Sequence, residues 1–330
     1  MTLHGGHLAN HINHHDLRSD NTLYVIGVIS NPVRYHSRYR LAREWMDRMS
    51  KTHNVQVCMV ECAFGDRHFE LTDASNPWHL QLRTKSEIWI KECMINLGVK
   101  HILPRDWKYV AWVDCDVEFR NPDWALETIH QLQHYPIIQP WQTAGNLGPD
   151  GETTKKFDSV GYKVRKNGVP LFKDRSRYSG DPYIFGHCGY AWACTRAFWE
   201  NVGGLIDFAI LGSADHHMAL GCRGYYSHSV HSAMKGPFMD GCHAWQTRAM
   251  QLTHGVIGYA RGSIEHHFHG PMERRDYVGR WEILIKHDFN PITDLRHDHQ
   301  GLIQLVGKPL LEHDIRMYNR NRMEDSIEAY

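Results

Sequence analysis

The feature that most constrains the fold is a regular alternation of apolar runs and amphipathic segments between residues 22 and 141. Four runs have the near-continuous hydrophobicity of strands that are buried on both faces: LYVIGVIS (23–30), VQVCMVECA (55–63), YVAWVDCDVEF (109–119) and PIIQPW (136–141). The segments between them repeat apolar residues at helical spacing, which predicts helices over 37–50, 86–99 and 122–135. This alternation predicts an α/β fold with a mostly parallel central sheet and helices on both faces.

Polar side chains follow three of these predicted strands, at the point where each strand ends. Asn31 comes directly after the first strand, Glu61 lies at the end of the second, and Asp114 and Asp116 lie at the end of the third. The carboxyl ends of parallel strands meet at one edge of a sheet, and open α/β sheets bind their ligands at that edge. We therefore expect these side chains to contribute to one ligand site.

Asp114 and Asp116 are separated by a single residue, so on an extended strand their carboxylates point to the same side. Two carboxylates this close repel each other unless a positive group lies between them. Mn²⁺ or Mg²⁺ would satisfy them, because hard divalent cations prefer oxygen ligands. The alternative is that both aspartates cap the strand by accepting hydrogen bonds from backbone amides.

The rest of the chain predicts one large domain with an addition at each end. The predicted parts are a histidine-rich tail (1–21), a first half (22–141), a basic loop (146–181), a second half (182–290) and a C-terminal helical extension (291–330). Loops as long as the basic one are usually functional or mobile. Its cationic residues are Lys155, Lys156, Lys163, Arg165, Lys166, Lys173, Arg175 and Arg177.

The overall composition argues against a global affinity for nucleic acid or for anionic membranes. Lysine plus arginine and aspartate plus glutamate each number 37, so the formal net charge is zero. We expect no membrane segment and no signal peptide, because the apolar runs are short and the N-terminus lacks an apolar core. The eight cysteines lie singly and predict reduced thiols, which favours a cytoplasmic location.

Several motifs, taken in order, resemble the GT-A glycosyltransferases, a nucleotide-sugar-dependent family with a DxD motif after an α/β half. The resemblance covers roughly residues 22 to 290 and rests on VISNPVRYHSRYRL, Glu61, INLGVKHIL, YVAWVDCDVEF, GYAWACTRAFWENVGGLIDFAILGSADHHMALG and IEHHFHGPMERRDYVGRWEIL. It implies a GT-A, Rossmann-like domain that moves a sugar from a nucleotide sugar, with a UDP-sugar as the first choice. The expected absence of a membrane segment and of a signal peptide favours a bacterial or bacteriophage member of this family, acting in a bacterial or virus-infected cell.

The resemblance implies that Asp116 is a direct ligand of Mn²⁺ or Mg²⁺, with Asp114 as a ribose contact or a further metal partner. A late histidine often completes such a site, and His269 is the first choice. His267 is the alternative, because residues two apart face one side of an extended segment. A purely structural histidine is the other interpretation for either position.

Four more residues are implied as donor contacts by the same resemblance. Asn31 and Arg34 follow the first strand and would meet the base and phosphate, while Glu61 would receive the base or ribose. Lys85, ahead of the second helix, would meet the diphosphate or the base. Arg274, Arg275 and Arg280 follow the histidine motif and could screen the diphosphate or lie on the surface.

On the acceptor side, the resemblance places Asp215 where the family carries its catalytic acids. Asp215 would deprotonate an acceptor hydroxyl, which implies inversion at the sugar; its alternative role is an N-cap of the following helix. Trp192 and Gly204 would form the acceptor wall and turn, although Trp192 in such an apolar string could equally pack in the core.

Three functions therefore stay open at the level of sequence. The first is a metal-dependent glycosyltransferase that acts on a hydroxyl of a saccharide. The second is a bacteriophage enzyme that glycosylates a hydroxymethylated DNA base, for which the basic loop would track phosphates. The third is a non-catalytic nucleotide-sugar-binding protein of the same fold, because Asp215 is the single acid in its motif.

Overall fold

A computed structural model describes residues 21–167 and 185–327. The histidine-rich residues 1–20 and the basic residues Lys173, Arg175 and Arg177 lie outside the described part of the chain. Within the two described ranges, none of the helices combines the length and the apolar character needed to cross a bilayer.

The strands, numbered in chain order, are β1 (Leu23–Ser30), β2 (Val55–Phe64), β3 (His79–Thr84), β4 (Tyr109–Val113), β5 (Val117–Phe119), β6 (Ile137–Gln139), β7 (Thr143–Leu147), β8 (Thr153–Asp158), β9 (Ala191–Thr195), β10 (Gly258–Tyr259), β11 (Ser263–His266), β12 (Leu295–His297) and β13 (Ile303–Leu305). The α-helices are α1 (His36–Ser50), α2 (Lys91–His101), α3 (Trp124–Leu132), α4 (Val160–Asn167), α5 (Arg196–Val202), α6 (Ala214–Gly221), α7 (Pro237–Thr253), α8 (Trp281–Lys286), α9 (Pro291–Asp294) and α10 (Pro309–Asn321).

The central sheet has seven strands in the order β10-β6-β9-β4-β1-β2-β3. Strand β9 runs antiparallel to both of its neighbours, and the other pairs in the sheet are parallel. A second sheet, in the order β5-β11-β7-β8, lies beside the end of β4, and β12 pairs with β13. The predicted α/β class with a mostly parallel central sheet is confirmed.

Strand β1 shows why helices cover both faces of this sheet. Leu23 and Val25 pack in one apolar cluster together with Trp45 of α1, whereas Ile26 packs in the other together with Met94 of α2. Successive side chains of a strand point to opposite faces, so a strand that is apolar throughout needs a partner layer on each side. Burying each such side chain stabilises the fold by roughly 1.5–3 kcal/mol.

Two sequence predictions placed element boundaries incorrectly. The helix predicted over 86–99 begins only at Lys91, since the preceding residues are irregular and Trp89 N–H donates to the Ile210 carbonyl at 2.9 Å. The run 109–119 is not one strand: β4 ends at Val113, and Val117 N–H donates to the Asp114 carbonyl at 3.1 Å to close a turn. The two aspartates therefore lie on a turn between the two sheets.

The region interpreted as a basic loop is partly regular. Residues 143–167 form the hairpin of β7 and β8 followed by α4. Strand β8 has little apolar pattern, because its first four residues are polar and exposed at the edge of the second sheet. Strand β3 was also missed, since it alternates polar and apolar residues at the opposite edge of the central sheet.

The C-terminal part joins the body of the domain. Helix α10 buries Leu311, Ile315 and Tyr318 in the larger apolar cluster, as its amphipathic pattern allows. The chain then passes the start of α1, where Tyr35 accepts a hydrogen bond from Met323 N–H at 3.0 Å. The segment after α10 therefore lies next to the carboxyl end of β1.

Candidate active site

A cleft opens at the carboxyl ends of β1 and β4, with a cavity of about 220 Å³. From β1 the chain proceeds outward to β2 and β3 on one side, and β4 lies on the other side. Such a reversal of strand order leaves a crevice where α/β sheets bind ligands. Asn31, Asp114 and Asp116 line this cleft, so the structure brings these three predicted residues together.

Asp116, His266 and His269 form the group in this cleft that could hold a metal ion. One ligand atom from each lies within 4.8 Å of the others. Asp116 Oδ2 is 2.9 Å from His269 Nε2 and 3.6 Å from His266 Nε2. Asp116 Oδ1 is buried and has no hydrogen-bond partner among the described residues. A buried carboxylate with one oxygen unsatisfied and the other facing two imidazoles suits Mn²⁺ well, because this ion accepts both oxygen and nitrogen ligands.

The backbone explains how these three side chains meet. His267 N–H donates to the Asp116 carbonyl at 2.8 Å, and His266 pairs with Val117 where β11 runs antiparallel to β5. This pairing fixes Asp116 beside His266. Burial lowers the pKa of His266 to about 4 against the opposing effect of Asp116, so its imidazole is neutral at physiological pH and can act as a ligand.

His267 points away from the cluster. Its Nε2 lies 3.0 Å from Glu118 Oε2, on the other face of the small sheet. Adjacent residues of a strand face opposite sides, and His266 already faces the cleft. Strand β11 ends at His266, so His269 lies in the following loop. The expectation that His267 and His269 face the same side holds only for an extended segment and therefore does not apply here.

Asp114 is bound to a cation of the chain rather than to the histidine cluster. Lys91, the first residue of α2, forms an ion pair with its carboxylate, and Asp114 N–H donates to the Tyr190 carbonyl at 2.8 Å. Burial acts to lower the pKa of Lys91, but Asp114 and Glu92 outweigh it and raise that pKa. The two aspartates of the motif thus face different partners.

Four arginines give the cleft a strongly cationic side: Arg38, Arg275, Arg280 and Arg322. Arg38 and Arg322 form ion pairs with Glu324, which is only 2% exposed. Arg280 donates to the Ser213 hydroxyl, and an Arg275 Nη2 lies 2.9 Å from His269 Nε2. Guanidinium groups that line a cleft beside a metal-type cluster are suited to bind a diphosphate.

Sequence reasoning singled out Arg275 and Arg280 but missed several other residues of this cleft. His266 could have been found, since it stands beside His267 in EHHFHG. Arg38, Lys91 and Arg322 gave no usable signal, nor did Glu324 beside the cleft, because each resembles an ordinary charge on a helix or in a polar tail.

Asp215 lies in the first turn of α6 and lines the cleft. It is not the N-cap, a position held by Ser213 with a φ of 78°. Its Oδ1 accepts a hydrogen bond from His216 N–H at 2.8 Å. A Cβ on Gly189 would stand 3.1 Å from the other oxygen, Oδ2, so the glycine keeps the space beside that oxygen open. Asp215 Oδ2 is therefore placed to meet a group bound in the cleft.

Glu92 is a further carboxylate in the cleft, and sequence reasoning missed it. It follows Lys91 in the first turn of α2 and accepts a hydrogen bond from Trp89 Nε1 at 3.0 Å. Burial raises the pKa of Glu92 to about 7, against the opposing effect of Lys91. A carboxyl that titrates near neutrality in a cleft is a feature of functional sites.

Three of the predicted donor contacts have other surroundings in the structure. Arg34 and Lys85 are exposed and do not line the cleft. Glu61 is buried below the loop after β2, where it accepts hydrogen bonds from three backbone amides and one hydroxyl, of residues 70 to 72. Asn31 lines the cleft, but its amide group is bonded twice to the Tyr35 backbone, at 2.8 and 2.9 Å.

The predicted acceptor residues Trp192 and Gly204 also lie apart from the cleft lining. Trp192 is 3% exposed within the apolar core, and its Nε1 donates to the Cys188 carbonyl at 2.7 Å. Gly204 has a φ of 89°, and a Cβ there would meet Asn96 at 2.8 Å. The core interpretation of Trp192 accounts for its surroundings, and Gly204 serves the turn after α5.

No family model and no curated protein sequence matches this chain. Among solved structures, S. aureus TarS 1-349 is similar with 11% identity and a TM-score of 0.36, over 63% of this chain and 55% of that one. A longer S. aureus TarS structure is 11% identical with a TM-score of 0.41, over 80% and 40%. The chain thus spans between two fifths and little more than half of these TarS structures.

A Drosophila beta1,4-galactosyltransferase 7 mutant in complex with manganese, UDP-Gal and xylobiose is also similar. The identity is 12% and the TM-score 0.36, over 86% of this chain and 94% of that one. Similarities this weak do not transfer a function, so the function must be argued from the residues of the cleft.

Proposed function

We propose that this chain is a metal-dependent glycosyltransferase that moves a sugar from a nucleotide sugar to a hydroxyl acceptor. The observation that carries the proposal is the cluster of Asp116, His266 and His269 in the cleft at the switch point of the sheet. A cation there would be bordered by guanidinium groups, an arrangement that suits the diphosphate of a nucleotide sugar. The GT-A resemblance of the sequence motifs supports the same conclusion.

Each residue of the cleft has a separate task in the proposed reaction. Asp116, His266 and His269 would hold Mn²⁺ or Mg²⁺, which stabilises negative charge on the leaving diphosphate. Arg275 and Arg280 would bind diphosphate oxygens. The Lys91–Asp114 pair would border the ribose or the transferred sugar, with Asp114 as the hydrogen-bond acceptor for a hydroxyl.

Asp215 would act as the general base. Its Oδ2 would take the proton of the acceptor hydroxyl while the hydroxyl oxygen bonds to the anomeric carbon of the sugar. The bond from this carbon to the diphosphate would break at the same time. The nucleoside diphosphate leaves with the bonding electron pair. A single displacement of this kind inverts the configuration at the anomeric carbon.

The donor is tested by isothermal titration of UDP-, GDP- and other nucleotide sugars with and without Mn²⁺. We expect one class to bind only when the cation is present, with a UDP-sugar as the first candidate. The absence of Mn²⁺-dependent binding across the whole panel would overturn the proposal.

Catalysis is separated from binding by Asp215→Asn, which keeps the shape of the side chain but removes the base. We expect turnover to fall by about 10²–10⁴-fold while donor affinity stays unchanged. Asp240→Asn is the matched control, because Asp240 is an exposed acid in the first turn of α7. Full turnover in Asp215→Asn would show that another group is the base, whereas a wild-type chain that binds the donor without turnover would favour a binding protein.

A DNA base is the second candidate acceptor, and the surface beside β8 favours it. A groove there is lined by Lys155, Lys156 and Lys163, close to the exposed start of β8. A duplex gel shift that weakens with salt, and that is lost when these three lysines become alanine, would support it. Lys100→Ala with Lys235→Ala is the control, since neither residue lines the groove; no shift at low salt would exclude DNA.

A further inference from the structure

The second ring nitrogen of His269 faces a carboxylate that comes from the far end of the chain. Nε2 of this histidine lies 2.9 Å from Asp116 Oδ2, and Nδ1 lies 3.3 Å from Glu324 Oε2. Histidines that bind metals usually direct their other ring nitrogen to a carboxylate or carbonyl, which fixes the tautomer and the ring orientation. Nδ1 is buried and makes no hydrogen bond among the described residues, and Glu324 is a carboxylate within reach of this unsatisfied nitrogen.

Glu324 is held firmly in this position. It is 2% exposed, Arg38 donates to its Oε1 at 2.6 Å, and Arg322 Nε lies 2.7 Å from the same oxygen. Arg38 Nε also donates to Oε2, the oxygen that faces His269. The two guanidinium groups therefore hold the Glu324 carboxylate in place beside Nδ1.

The backbone around Glu324 is packed against the loop that carries His269. A Cβ on Gly270 would stand only 2.6 Å from the Glu324 Cα, so the two segments are in direct contact. The next residue, Asp325, accepts hydrogen bonds from the His36 and Ser37 amides at 2.7 and 2.8 Å. This second contact fastens the C-terminal segment to the start of α1.

The contact between Arg275 and His269 indicates which ring nitrogen of this histidine carries the proton. Its Nη2 donates toward Nε2 at 2.9 Å, and an atom that accepts a hydrogen bond carries no proton. A neutral imidazole then has its proton on Nδ1, which is the atom that faces Glu324. A cation beside Asp116 would take this single Nε2 lone pair in place of Arg275, and the Nδ1 proton would still face Glu324.

We propose that Glu324 is a positioning residue of the metal site, and that the segment from Arg322 to Asp325 completes this site by orienting His269. The inference rests on the proposed metal-binding function of the cleft. It assigns a role to a part of the chain that the sequence indicated only as a helical extension.

The inference is tested by titrating Mn²⁺ into the full chain and following free Mn²⁺ by electron paramagnetic resonance. Glu324→Asp keeps the charge opposite Arg38 and Arg322 but withdraws it from His269, and Glu324→Gln removes the charge. We expect both variants to bind Mn²⁺ about 10–100-fold more weakly than the wild-type chain. Glu282→Gln is the matched control, because Glu282 is an exposed acid in the first turn of α8, outside the Arg322–Asp325 segment, and Mn²⁺ affinity should stay within about twofold.

A double-variant cycle shows whether the effect acts through His269. In a His269→Gln background, Glu324→Asp should weaken Mn²⁺ binding no further. The inference about Glu324 would be overturned if both Glu324 variants kept the wild-type Mn²⁺ affinity. It would also be overturned if Glu324→Asp weakened Mn²⁺ binding as much in the His269→Gln background as in the wild-type chain; neither result would contradict the metal site itself. If the wild-type chain bound no Mn²⁺, that result would contradict both the proposed metal site and this inference. If the chain bound Mn²⁺ but no nucleotide sugar, that result would contradict only the transferase proposal.

Discussion

Two strand ends of the central sheet carry acids with very different surroundings. Glu61, near the end of β2, accepts four hydrogen bonds from the loop that follows this strand. Asp116 follows β4, and its buried Oδ1 has no such partner among the described residues, while its Oδ2 faces two imidazoles. An acid whose oxygens are satisfied by its own loop stabilises that loop, whereas an acid left unsatisfied beside histidines is available to a ligand.

The largest expected effect comes from removing the charge at the β4 end. Asp116→Asn should abolish Mn²⁺ binding and lower turnover by roughly 10⁴-fold, because the cation supplies several kcal/mol of charge stabilisation in such reactions. Mn²⁺ titration and initial rates measure the two effects. Glu118→Gln is the control two residues away, and a comparable loss in that variant would mean that the effect is not specific to the cluster.

The same change at the β2 end should act on stability instead. Glu61→Gln replaces one accepting oxygen by a donor amide opposite backbone N–H groups, which should lower the free energy of unfolding by about 3–4 kcal/mol. Mn²⁺ affinity should remain within about twofold. Urea unfolding measures the free energy, and Mn²⁺ titration measures the affinity. A variant that stays stable but loses donor binding would instead indicate that Glu61 contacts the donor.

Glu92 provides a third buried acid, with a pH-dependent outcome. Its pKa is about 7 in the folded chain, against an ordinary value of 4.5, because burial disfavours the charged form. Folding therefore favours the protonated carboxyl, and this contribution to stability is present below pH 4.5 and is lost as the pH rises through about 7. Glu92→Gln cannot ionise and keeps an acceptor for Trp89.

At pH 8 this variant should have a free energy of unfolding about 3 kcal/mol above that of the wild-type chain, with a much smaller difference at pH 5. Urea unfolding at both pH values measures the change. Glu282→Gln serves as the control, since Glu282 is an exposed acid in the first turn of α8. Equal differences at the two pH values would contradict a raised pKa.

The smallest effect is expected for His267. His267→Gln should leave Mn²⁺ affinity within about twofold, because the imidazole faces Glu118 and not the cluster. His266→Gln, one residue earlier, removes a member of the cluster and should weaken binding by more than tenfold, since it leaves two protein ligands. Titration of both variants with Mn²⁺ distinguishes the two neighbours, and the reverse order of affinities would show that the strand faces are misassigned.

The sequence by itself determined the scaffold of this protein. Continuous apolar runs such as residues 23–30 can be satisfied only where both faces of a strand are covered, so the α/β architecture follows from local pattern. The same pattern placed Asp114 and Asp116 at the edge where ligands bind. The motifs also pointed to Asp215 and His269, and the structure places both in the cleft.

Only the tertiary structure decided which of these groups meet. His266 takes the place beside Asp116 that the residue spacing gave to His267, because β11 pairs with β5 in one register. Arg38 and Glu324 lie 286 residues apart in sequence and are in contact in the fold. Such long-range pairs leave no periodic signal, since each residue alone looks like an ordinary surface charge. The reason is physical: apolar periodicity is a local property of the chain, whereas the partner of a buried charge is set by how distant segments pack.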